Sequence, residues 1–88
     1  NEEWRLVLDV LENWFRDLAW IKHHLPQQDL FHAQKKQELE QCSKCFRLED
    51  VYQFSKDLAQ TRKNIELNAN RTLALESLWI RLKHYSTV

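Results

Sequence analysis

Residues 4–21 read WRLVLDVLENWFRDLAWI, and this run decides the fold class. At 100° per residue, Trp4, Val7, Leu8, Leu11, Trp14, Phe15, Leu18 and Ile21 fall on one broad stripe. Arg5, Asp9, Glu12, Asn13, Arg16 and Asp17 fill the other side. The spacing predicts an amphipathic helix from about Glu2 to His24. His23 and His24 then stand in the last turn, where positive charge suits the helix C-terminus. Leu25-Pro26 ends it, because the residue before proline is steered away from the α region.

Outward from that helix, Gln27 to Phe31 reads as a loop. A second, shorter helix is expected over about Ala33 to Lys44, with a thin face of Leu39, Cys42 and then Phe46. The third spans about Leu48 to Leu67. Leu48, Val51, Tyr52, Leu58, Ala59 and Ile65 share its inner face, Phe54 lies at the edge, and Ser55 and Arg62 interrupt the stripe. Asn68-Ala69-Asn70 announces a fourth helix: one asparagine takes the left-handed position ending helix three, the other caps helix four. From Arg71 to Ser86 the inner face is Ala74, Leu75, Leu78, Trp79, Leu82 and Tyr85, while Leu73 and Ile80 lie almost opposite.

Composition agrees. Glycine is absent from the 88 residues and proline occurs once, whereas average usage would give about six glycines. Tight hairpin turns depend on residues at positive φ, so the expectation is all-α: a small antiparallel bundle of three long helices plus one short one. The chain is one domain, 1–88. It contains no methionine and opens in helix-like sequence, which predicts a piece of a longer protein. Thirteen basic and thirteen acidic side chains cancel. No basic stripe of the kind that tracks nucleic acid is present, and no apolar run reaches the ~18 residues of a membrane span. Two cysteines three residues apart cannot staple a fold, so a reduced, cytoplasmic setting is expected.

Few residues suggest chemistry. Cys42-Ser43-Lys44-Cys45 has the spacing of half a zinc site, but no second CxxC or spaced histidine pair completes it among His23, His24, His32 and His84. Cys42 instead fits the inner stripe as a small hydrophobe, with Cys45 toward the flank. Without glycine no phosphate-cradling loop can form. No nucleophile, base and electrophile converge, so neither a catalytic site nor a cofactor is expected. Arg62 on an apolar stripe calls for a carboxylate, and Glu76 on helix four is the expected structural partner. Trp20, Leu73 and Ile80 sit off the main stripes, with Ser77 and His84 on the same side as the last two. Such a ridge belongs either to a protein interface or under a helix outside this window.

The pattern Asn68-x-Asn70-Arg71-x-Leu73-x-Leu75-Glu76-x-Leu78-x-x-Arg81-Leu82 resembles the closing helix of the DNA polymerase III δ′ (delta prime) subunits, bacterial clamp-loader proteins. The likeness extends back through helix three to about Gln37. Residues 14–24, WFRDLAWIKHH, are similar to the first long helix of that family's collar domain. The CxxC, and the lack of Ser or Pro at the start of helix three, depart from the family pattern. The resemblance implies a parent of AAA+ type in which this is the last domain, packed beside the C-terminal helical domains of the other subunits in a five-membered collar. ATP sites and the arginine finger of that family reside in its N-terminal domains, and δ′ serves as a rigid stator while a sliding clamp is loaded for DNA replication. The implied role is non-catalytic assembly within the polymerase holoenzyme, with other clamp-loader subunits as partners and no direct contact to nucleic acid or membrane. Two alternatives remain open at this point: a helix-turn-helix nucleic-acid binder reading with helix four, and a small zinc-binding helical module.

Overall fold

The computed structural model describes residues 3–67 and 70–85, and these are all-helical, with no strand. Helix α1 spans Glu3–Lys22, α2 Lys36–Ser43, α3 Leu48–Glu66 and α4 Arg71–Tyr85. Single 3-10 turns at Gln27–Asp29 and Ala33–Lys35 occupy the α1–α2 connection. No helix among the described residues is long and apolar enough to cross a membrane.

Trp4, Leu8, Phe15 and Leu18 of α1 are buried as their spacing requires, although Val7 is left 52% exposed. The helix stops two residues before its expected end. His24 takes a left-handed conformation (φ 57°), its N–H bonding Ile21 O at 2.9 Å and that of Leu25 bonding Trp20 O at 3.2 Å. These are the paired bonds of a Schellman terminus. Glycine normally fills that position, because a Cβ there costs about 1–2 kcal/mol. His24→Gly is therefore expected to raise stability by roughly 1 kcal/mol even after its larger unfolded-state entropy. Urea unfolding checks this, and an unchanged midpoint would deny the strain.

Helix α3 packs against both α1 and α4, while α2 packs on α1. Arg5 near the start of α1 meets Glu66 at the end of α3 (2.9 Å), and His23 after α1 meets Tyr52 near the start of α3. With two neighbours, α3 buries a face turned from the expected stripe. Val51, Phe54, Leu58, Thr61 and Ile65 are inside, whereas Tyr52 is 46% exposed and Ala59 lies outside. Phe54, placed at the edge by sequence, is wholly buried, its ring centroid 4.7 Å from that of Phe15. Phe46, in the link between α2 and α3, stands edge-on to Phe15 and continues the aromatic cluster.

Asp17 corrects the reading of α1 more sharply. Assigned to the polar side, it is wholly buried. Its carboxylate accepts the backbone N–H of Phe31 (3.0 Å) and of His32 (2.8 Å), and Arg16 stands 3.3 Å away. A buried carboxylate needs such donors, and here they fix the α1–α2 connection to the side of α1.

Asn70 caps α4 as expected, its Oδ1 accepting Leu73 N–H at 3.1 Å. Asn68 lies outside the described residues. Leu78 is buried, with Ala74, Leu75, Leu82 and Tyr85 packed partly against the core. Trp79, expected inside, is 61% exposed. It stands about 100° around the helix from Leu78, beyond the strip that α3 covers.

Candidate interaction surface on helix α4

Helix α4 carries apolar residues nearly all round but has one packing partner of substance, α3. An apolar residue on a helix normally turns toward a neighbour. Here Leu73 (61%), Trp79 (61%) and Ile80 (66%) face outward. Ser77 and His84, the small and polar members of the expected ridge, are exposed as well. An open recess of about 510 Å³ lies along this side, lined by Thr72, Leu75, Glu76, Trp79 and Ile80. A smaller apolar groove between α1 and α4, about 150 Å³, is lined by Val7, Leu11, Phe54, Leu75, Leu78, Trp79 and Leu82. Sequence periodicity found Leu73 and Ile80 but put Trp79 and Val7 in the core. Which flank of a stripe is covered depends on helices far away in the chain.

Trp20 does not belong to this surface. It is half-buried, its indole N–H donates to Pro26 O at 2.6 Å, and the Arg16 guanidinium lies 4.4 Å above its ring. Its work is local, closing the C-terminal end of α1.

The pairing of Arg62 with Glu76 is also corrected. Arg62 reaches α1 instead, bonding Asp9 and Glu12 at 2.6 Å each. The Glu12 hydrogen bond is the main cause holding its pKa above the ordinary arginine value. Arg62 lies on the flank of α3 that faces α1, where the acidic side of that helix supplies two acceptors. Glu76 is left exposed on α4.

Asp57, which the sequence did not single out, joins α3 to α4. Buried itself, it accepts from Tyr85 Oη (2.9 Å), Arg81 (3.3 Å) and Gln53 (3.2 Å). Burial raises the Tyr85 phenol above its ordinary value of 10.0, and the Asp57 hydrogen bond and charge add to that. An acid whose folded pKa is raised stabilises fully below its unfolded pKa and loses that contribution as pH rises through the folded value. Stability should therefore fall above about pH 10, the ordinary tyrosine value, and Tyr85→Phe should flatten this loss in an alkaline denaturation series. A slope unchanged by the substitution would place the titrating group elsewhere.

Cys42 and Cys45 form no disulfide and are both half-buried against the core, so they differ less in exposure than their stripe positions suggested. Cys45 N–H bonds Cys42 O at 2.9 Å, and its thiol lies 3.7 Å from Gln41 O. No group of three or more His, Cys, Asp or Glu that could hold a metal ion exists among the described residues. A cavity of about 570 Å³ is lined in part by Lys22, His24, Ser43 and Lys44, where the C-terminal ends of α1 and α2 meet. Cations there answer the negative ends of two helices. The Ser43 hydroxyl is spent on Glu40 O at 2.7 Å.

Among known proteins no family profile, curated protein or solved structure matches this chain.

Proposed function

We propose that this chain is a non-catalytic oligomerisation domain, the C-terminal collar domain of a δ′-type clamp-loader subunit. Its four helices are read as an antiparallel bundle in which α1, α3 and α4, of 20, 19 and 15 residues, are the long members and α2, of 8, the short one. One observation carries the reading: α4, the helix with the family-like pattern, holds Leu73, Trp79 and Ile80 out to solvent. Covering two aliphatic side chains fully is worth at most roughly 3–6 kcal/mol at about 1.5–3 each, enough to matter for a weak subunit contact. The domain tethers its parent beside the other clamp-loader subunits, in the cytoplasm, and takes no part in ATP chemistry. Its partners are their helical collar domains, not DNA or membrane.

Sedimentation velocity of this chain mixed with collar domains of the other clamp-loader subunits tests the proposal. A defined hetero-oligomer is expected. A chain that stays alone, and instead binds labelled duplex DNA with a steep salt dependence, would overturn it in favour of the helix-turn-helix reading.

A further inference from the structure

Glu76 stands in the middle of the exposed apolar patch. On a helix surface the neighbours of a residue are those three and four positions away. For Glu76 these are Thr72, Leu73, Trp79 and Ile80, all exposed. No cation lies within that reach. Arg62, the expected partner, is engaged by α1, and Arg81 is turned inward to Asp57. Among the described residues none forms an ion pair with Glu76. A carboxylate so placed is harmless while water covers it. Once a partner covers Leu73 and Ile80, that water is lost, and an unpaired buried charge is strongly unfavourable. The partner must therefore bring hydrogen-bond donors to Glu76, and a cation meets that need most strongly because its bonds are charge-assisted.

Arginine fits better than lysine. Its planar fork matches a carboxylate with two parallel hydrogen bonds, and its flat face stacks on an indole. Both requirements meet in one recess, which Glu76 and Trp79 line together with Thr72, Leu75 and Ile80. We infer that the protein surface seated on α4 presents an arginine flanked by aliphatic residues, its guanidinium paired with Glu76 and lying over Trp79. The inference rests on the reading of α4 as an interface and names the chemistry that the partner brings to it.

The probe is an alanine-based helical peptide with leucines at positions i and i+7 and arginine at i+4 of one face. A twin carries citrulline, which has the same shape without the charge. Titrated into the 88-residue chain and followed by amide and indole chemical shifts, the arginine peptide should perturb Thr72, Trp79 and Ile80. It should bind roughly tenfold tighter than its twin at low salt, the gain expected of one charge-assisted pair. Glu76→Gln, which changes an exposed side chain only, should abolish the difference. Equal affinity for both peptides, binding by neither, or shifts centred elsewhere would overturn the inference. Equal affinity leaves the collar reading intact. Failure to join the other collar domains removes that reading but leaves the peptide result standing.

Discussion

Asp17→Ala is expected to remove much of the chain's stability at room temperature. The wild-type carboxylate is wholly buried and accepts two backbone N–H groups, from Phe31 and His32, with Arg16 beside it. Alanine offers no acceptor, so both amides lose their partner. Each part-buried donor left without its acceptor costs about 1–3 kcal/mol, and the sum, roughly 2–6, is comparable with the whole margin of a domain this small, about 3–5. Asp17→Asn should lose less, since one amide oxygen remains to accept. Urea unfolding followed by circular dichroism measures both. A loss under about 1 kcal/mol in the alanine variant would mean that the connection is held by other contacts.

Phe54→Ala should be comparably damaging, at about 3–5 kcal/mol for a buried aromatic. Its ring sits against Phe15 and edge-on to Tyr85, so one side chain joins α1, α3 and α4. Tyr52→Ala, two positions away and 46% exposed, should cost far less, mainly its contact with His23. Periodicity alone ranks the two the other way, with Tyr52 inside and Phe54 at the edge. Comparing their unfolding midpoints therefore decides the rotational setting of α3, and a larger loss for Tyr52→Ala would refute it.

Features set by local chemistry were legible in the sequence: the end of α1 ahead of Pro26, the Asn70 cap, the inward Trp4, Leu8, Phe15 and Leu18 of α1, and the outward Leu73 and Ile80. Each depends on a few adjacent residues or on a single helical period. The features that escaped it depend on which helix becomes whose neighbour. Arg62 had carboxylates to choose from on α1 and α4, and no spacing rule distinguishes them. Asp17 looks like any solvated acid until residues 31 and 32 fold back to it. Trp79 fits the inner face at the resolution of a helical wheel, yet α3 is too narrow a neighbour to cover it. The rotation of α3 comes from serving two partners at once, so its buried face is a compromise that one period does not reveal.

The outward face of α4 carries the functional account, and the double variant Leu73→Asp/Ile80→Asp tests it most directly. Both side chains are more than 60% exposed, so the isolated chain should keep its helicity and unfold within about 0.5 kcal/mol of wild type, as surface changes do. Mixed with clamp-loader collar domains, the partners proposed above, and run in the ultracentrifuge, the variant should stay alone where the wild type is expected to assemble. Assembly at wild-type affinity would contradict the account by placing the interface elsewhere, and unfolding of the isolated variant would contradict it by returning Leu73 and Ile80 to the internal core.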